Sequence, residues 1–241
     1  MSLLTAAADL FYPPACPSCS GLPGNATHQV CNRCLSGSTP VIPPFCKSCG
    51  EPFPAGVPDE FDCANCTGMQ FAFDFARAAY LNTGRLRQMV LRFKYDSVLR
   101  LRHPLAHLAM RALDDPRIAA RTDWLVVPVP VHFWRKFRRQ FNQADEIARI
   151  IAKTAGFELA RPLRRTRYTK PQADLDRSTR LKNLAAAFKL APTASKRSLK
   201  DRPVLLIDDV LTTGATANAC AEILKRDAAT GTIAVLTVTR G

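Results

Sequence analysis

The rhythm of apolar positions along this chain changes near residue 75. Beyond it, short unbroken apolar runs alternate with stretches in which apolar residues recur every three or four positions. That is the pattern of buried strands connected by amphipathic helices. Residues 76–81 (ARAAYL) read as a strand and 82–84 as a turn. The helix that follows puts Leu86, Met89, Val90 and Phe93 on one face, with Arg85, Arg87, Arg92 and Lys94 elsewhere on its surface. A second helix is expected over about 101–113. WLVVPVP at 124–130 is a strand ending in proline. Asn142 is suited to cap the next helix, with Asp145 three residues later and Ile147, Ile150 and Ile151 as its buried stripe. Residues 162–183 are polar and lack periodicity, so they read as a long loop, which in a compact domain is usually a lid or a disordered segment. TIAVLTVTR, after Gly231, completes the sheet. The whole predicts an α/β domain with a mostly parallel sheet and flanking helices.

Within this region the stretch 204–220, VLLIDDVLTTGATANAC, carries the most chemistry. Val204, Leu205, Leu206 and Ile207 form a buried strand that runs into Asp208 and Asp209, and a loop of small residues then leads into a helix. Ligands bind at the C-terminal ends of strands in such sheets. The loop's N–H groups and the helix start form a cradle for a phosphate, with Gly214 allowing the tight turn and Thr212, Thr213 and Thr216 adding hydroxyl donors. The two carboxylates are expected on the rim of that pocket, where they suit sugar hydroxyls or Mg²⁺. Cys220 reads as a small buried hydrophobe.

Before residue 75 the periodicity gives way to turn residues and cysteines. Eight of the nine cysteines form four CxxC pairs: Cys16/Cys19, Cys31/Cys34, Cys46/Cys49 and Cys63/Cys66. Two CxxC turns complete one tetrahedral Cys₄ zinc site, so two structural zinc ions are expected. Sequential pairing assigns Cys16, Cys19, Cys31 and Cys34 to one ion and Cys46, Cys49, Cys63 and Cys66 to the other, and the spacing also allows interleaved pairing. Structural zinc contributes about 10–16 kcal/mol in small fingers, enough to replace the missing apolar core. His28 is expected in a solvated loop, and His103 and His107, although spaced i, i+4, are expected to be structural.

Charge sharpens this division. The 241 residues carry a formal net charge of +14, but residues 1–75 hold two basic side chains against six acids, and the remainder holds 32 against 14. The expected domains are therefore a ribbon over 1–75 and a larger basic domain over 76–241, whose field favours polyphosphates or nucleic acid. The acidic ribbon is suited to protein docking. In the loop after WLVVPVP, Arg135, Lys136, Arg138 and Arg139 are interleaved with Phe133, Trp134, Phe137 and Phe141, a composition that suits single-stranded nucleic acid or a diphosphate. No apolar run reaches the ~18 residues of a membrane helix, and the N-terminus lacks the basic start of a signal peptide. No membrane insertion and a cytoplasmic location are expected, which favours metal over disulfides for the cysteines.

The order of acids, loop and helix resembles the phosphoribosyl-diphosphate (PRPP) signature of type I phosphoribosyltransferases. That resemblance implies that Asp208 and Asp209 contact the ribose hydroxyls and that Thr212, Thr213, Gly214, Ala215 and Thr216 hold the 5′-phosphate. VPVP followed by an arginine cluster and FNQA is similar to a narrower group, the ComF family of phosphoribosyltransferase-like competence proteins, which includes GntX. Its members have a cysteine-rich ribbon, an R-G-F-N-Q segment, a loop T-x-x-Q with a downstream R-x-x-N, and the acidic motif. The matching residues are Arg139, Phe141, Asn142 and Gln143, then Thr169, Gln172, Arg180 and Asn183, then 208–216. Gln140 stands where the family usually has Gly. The resemblance implies a type I phosphoribosyltransferase-like fold and Mg²⁺-dependent phosphoribosyl transfer from PRPP, or binding of a nucleotide 5′-phosphate. Asp208, Asp209 and Arg139 would be catalytic, with Asn142, Gln143 and the lid residues on the diphosphate. It also implies a part in natural transformation, with single-stranded DNA and a DNA-uptake helicase as partners. A non-catalytic scaffold binding that DNA or helicase fits the same features.

Overall fold

The computed structural model describes residues 15–21, 30–57, 61–132, 140–167 and 187–241. Their main elements, in chain order, are β1 (Phe75–Leu81), α1 (Gly84–Tyr95), α2 (Arg102–Met110), β2 (Leu125–Pro128), α3 (Gln143–Ala155), β3 (Glu158–Leu159), β4 (Leu163–Arg165), β5 (Phe188–Leu190), β6 (Val204–Leu211), α4 (Ala215–Ala228) and β7 (Ile233–Arg240). One parallel sheet has the order β1-β7-β6-β2-β3, and β4 pairs with β5 in a separate antiparallel ribbon.

The period-2 alternation of the central strands sorts their side chains onto two faces. Leu205, Ile207, Ala234, Leu236 and Val238 pack with α1, α2 and α3, whereas Val204, Leu206, Ile233 and Val235 pack with α4 and the β4–β5 ribbon. All eight residues of β7 are buried, as a strand covered on both faces requires. Helix α1 buries the stripe expected of it, Leu86, Met89, Val90 and Phe93, each contributing about 2 kcal/mol by burial. Asn142 caps α3, its Oδ1 accepting from the Ala144 N–H at 3.1 Å.

Four sequence expectations need correction. The second helix is shorter than 101–113: α2 is flanked by 3-10 turns at Leu99–Leu101 and Arg111–Asp114. The long polar loop contributes a strand at its start, because Leu163–Arg165 pairs with Phe188–Leu190 and buries Leu163 and Phe188. The acidic pair lies inside β6 rather than after it, since pairing with β7 continues through Asp208–Thr237 and Val210–Thr239 to Leu211–Arg240. Finally, Arg92 and Lys94 are not free surface residues of α1. The Arg92 guanidinium donates to the Pro17 and Ser18 carbonyls at 3.0 and 2.7 Å, and Lys94 turns into the sheet's C-terminal edge.

The cysteine-rich segment lies along this body. Residues 39–48 run beside the outer edge of β1, where Val41 N–H donates to Ala79 O, Leu81 N–H to Thr39 O and Ala76 N–H to Ser48 O. The edge strand is thereby covered. Among the described residues no helix is long and apolar enough to cross a membrane.

Candidate functional site

The cysteines form two sets of four, Cys16/Cys19/Cys31/Cys34 and Cys46/Cys49/Cys63/Cys66, with the sulfurs of each set within 4.8 Å of one another. The pairing is sequential, and the interleaved arrangement is excluded. Sulfur separations of 3.9 Å (Cys16–Cys34), 3.6 Å (Cys19–Cys31) and 3.7 Å (Cys49–Cys63) bracket the ~3.8 Å edge of a zinc-thiolate tetrahedron with 2.3 Å bonds. The donor sets therefore fit structural zinc. No third cluster of metal-ligating side chains occurs among the described residues; His107 Nδ1 instead lies 2.8 Å from the His103 carbonyl of its own helix.

A second centre lies at the C-terminal end of the parallel sheet. From β2 the chain passes through α3 on one face, and from β6 it passes through α4 on the other. The crevice between β2 and β6 is thus a topological switch point, where parallel sheets bind ligands. A cavity of ≈340 Å³ opens there, lined by residues from the ends of both strands and the starts of both helices. Its walls include Asp208, Asp209, Thr212 and Thr216, with Asn142 and Gln143 opposite.

The two carboxylates are not equivalent. Asp209 is only 4% exposed, and the Lys94 ammonium lies 2.9 Å from each of its oxygens. Burial opposes the charge on Lys94, but Asp209 and then Asp208 hold its pKa above the ordinary value. Among the described residues Asp208 has no ion-pair partner, and its Oδ1 accepts from the Asp209 N–H at 2.8 Å. Desolvation, and secondarily the Asp209 charge, push the Asp208 carboxyl up to about 7 against the opposing pull of Lys94. The cavity therefore holds one carboxylate paired with Lys94 and one carboxyl that titrates near neutrality.

The loop that follows is shaped for an anion. Gly214 has φ 76°, the left-handed region, and caps α4. A side chain there is strained by this φ rather than by crowding, since a Cβ would meet only the Phe73 and Phe71 rings at ordinary contact distance. The first-turn N–H groups of the 14-residue helix α4 point toward the loop.

Asn142 and Gln143 line the cavity, but their side chains also serve the fold. Asn142 Nδ2 donates to Val129 O at 3.1 Å, and Gln143, 2% exposed, donates from Nε2 to Phe93 O at 3.4 Å. Gln140 adopts φ 65°, so the position does take the conformation that glycine tolerates best, at a cost of roughly 1 kcal/mol to this side chain. Arg139, Thr169, Gln172, Arg180 and Asn183, and likewise His28, lie outside the described residues.

Sequence reasoning missed Lys94, together with Asn82, Arg87 and Arg165, which also line the cavity. Lys94 follows the last residue of the buried stripe on α1, so periodicity places it beside the core, but nothing local reveals a partner 115 positions away. The cavity thus combines carboxylates, hydroxyls and cations beside the loop that precedes α4.

The family model of the double zinc ribbon domain matches residues 7–67. Competence protein F of Haemophilus influenzae is 29% identical over 222 residues, covering 90% of this chain and 93% of that protein. The chain is a homologue of competence protein F. The DNA utilization protein YhgH of Salmonella typhi is 28% identical over 206 residues, covering 83% of this chain and 86% of its own length. YhgH of Escherichia coli K12 is 26% identical over 220 residues, covering 89% and 79%. Because these matches span both the cysteine-rich segment and the sheet, the likeness extends beyond the ribbon.

Proposed function

We propose that this chain binds PRPP, or a nucleotide 5′-phosphate, in the cavity between β2 and β6, and that it serves DNA uptake. The single observation that carries the binding reading is the convergence of Asp208, Asp209, Thr212 and Thr216 with Lys94 and Arg87 in one cavity at the switch point of a parallel sheet. The likeness to competence and DNA-utilization proteins supports the role in DNA uptake. The surplus of basic residues beyond residue 75 supports contact with single-stranded DNA.

In this reading residues 212–216 take the 5′-phosphate and Asp208 and Asp209 face the ribose hydroxyls. Arg87 and Lys94 add positive charge where the ligand is most anionic. Mg²⁺ fits this donor set only as an ion that arrives with the diphosphate. The protein offers two carboxylates, one of them already paired with Lys94, which falls short of the six oxygen ligands Mg²⁺ takes. When bound, the ion would supply charge neutralisation on the diphosphate. Phosphoribosyl transfer would form a bond from an acceptor nucleophile to the anomeric carbon as the bond to diphosphate breaks and diphosphate leaves with its electron pair. Asp208, titrating near neutrality, is the carboxyl suited to take the acceptor's proton.

Calorimetry with PRPP and Mg²⁺ tests the reading. Wild-type protein should give a saturable binding heat that Asp208→Asn/Asp209→Asn reduces at least about tenfold in affinity. A wild-type chain carrying two zinc ions and giving no heat would overturn it. Release of diphosphate from bound PRPP separates transfer from binding alone.

A further inference from the structure

The second cysteine cluster reaches the phosphate loop by two independent routes. The first runs through Arg240, the last residue of β7, which is 5% exposed although it sits at the end of a strand. Its Nη1 donates to the carbonyls of Leu211 and Thr212, at 3.1 and 2.6 Å. Its Nη2 lies 3.7 Å from Cys49 Sγ and 2.6 Å from the Glu51 carboxylate. One guanidinium therefore holds the start of the loop with one nitrogen and the ribbon with the other. A planar fork can do this, and a lysine ammonium of the same charge cannot.

The second route is aromatic. Phe71 packs against the four cysteines of the second cluster and stacks on Phe73 with ring centroids 4.6 Å apart. Both rings border Gly214. Between them, Ala72 N–H donates to Asn218 Oδ1 at 2.7 Å, in the second turn of α4. Loop and helix start are thus gripped from opposite ends, at Leu211–Thr212 by Arg240 and at Gly214–Asn218 by residues 71–73. Neither Arg240, Glu51 nor the cysteines line the cavity.

We propose that the second tetra-cysteine site is a clamp for the phosphate loop, with Arg240 as its positioning residue, so that phosphate binding at 212–216 depends on zinc held at a site that never touches the ligand. This rests on the proposed phosphate site. Without the clamp, the carbonyls of Leu211 and Thr212 lose their shared donor and the loop samples conformations in which its N–H groups no longer converge. Ligand affinity then falls by the fraction of time the loop is competent.

The test is hydrogen exchange of residues 212–217 in the full chain, read against α3 as internal reference, in wild type, Glu51→Gln and Arg240→Lys. Glu51 is about 40% exposed, so its substitution loosens the clamp without opening the core. With two zinc ions still present by metal analysis, exchange in the loop should rise about tenfold in Glu51→Gln, the effect of one charged hydrogen bond, and more in Arg240→Lys, while α3 is unchanged. PRPP affinity should fall in parallel. Loop exchange at the wild-type rate in both variants would overturn the clamp. If wild type binds no PRPP, the functional reading falls, and loop exchange still decides whether the ribbon positions the loop.

Discussion

The two cysteine clusters share their spacing chemistry but are used differently by the fold. In the first, Cys16, Cys31 and Cys34 belong to the main core cluster together with Leu86, Met89, Phe93 and residues of the central strands, while Cys19 is exposed. This first cluster is tied to α1 by Arg92, the helix that two residues later delivers Lys94 to Asp209. The second, Cys46/Cys49/Cys63/Cys66, forms a separate small cluster on which, among the described residues, Phe53 and Phe71 pack, and its polar ties lead to Arg77 and Arg240. One ribbon thus stands behind the acidic half of the cavity and the other behind the loop at 212–216. Identical ligand sets can serve as a piece of the core or as a fastener; what surrounds them decides.

The largest expected effect separates these roles directly. Cys16→Ser/Cys19→Ser removes a metal site of which three cysteines are part of the main core, whereas Cys46→Ser/Cys49→Ser removes one that is not. Metal analysis should find about one zinc in each variant against two in wild type. The first variant should lose at least about 3 kcal/mol of stability toward urea, a fraction of what structural zinc supplies in small fingers. The second should lose clearly less while weakening PRPP binding more. Equal urea midpoints for the two variants would erase the distinction.

The next effect probes the acidic half alone. Lys94→Met leaves Asp209 buried without its cation and should destabilise the chain by about 3 kcal/mol. The double variant Lys94→Met/Asp209→Asn should regain most of that loss, because the cost lies in the unpaired charge rather than in the missing attraction. Chemical denaturation of the four proteins of this cycle gives the coupling. Strictly additive losses would mean that the 2.9 Å contact does not hold Asp209.

Much of this arrangement is legible in the sequence, for identifiable reasons. The CxxC pairs, the stripe on α1, the Asn142 cap and the strand-loop-helix order at 204–220 are all local patterns. What escaped depends on partners distant in sequence. Lys94 and Asp209, or Arg240 and Glu51, meet only once the sheet has formed. Arg240 looks like the charged residue that ends a strand, yet it is among the best buried arginines. The β4–β5 pair joins three-residue segments whose centres are charged, Arg164 and Lys189, too short for periodicity to register. The acids at 208 and 209 interrupt an apolar run and so appear to end a strand that β7 in fact extends.

The smallest effect asks where the pH dependence of this comparison resides. Asp208 has an ordinary value of 3.8 and is raised to about 7 in the fold, first by desolvation and then by Asp209. Because the folded carboxyl keeps its proton in a range where the unfolded one has lost it, its contribution is fully present below about pH 4. That contribution is lost as pH rises through about 7. Asp208→Asn removes this slope, leaving stability flatter from pH 4 to 7. At pH 8 the variant should exceed wild type by on the order of 2 kcal/mol, allowing for the carboxyl's opening to the cavity. Under the proposed function the same variant should also bind PRPP more weakly, a trade of stability for ligand charge. Urea unfolding at pH 5 and pH 8 reads the slope. A wild-type slope unchanged by Asp208→Asn would locate the pH dependence outside the acidic half, leaving Lys94 and Asp209 as a fixed ion pair beside a carboxylate ionised throughout that range.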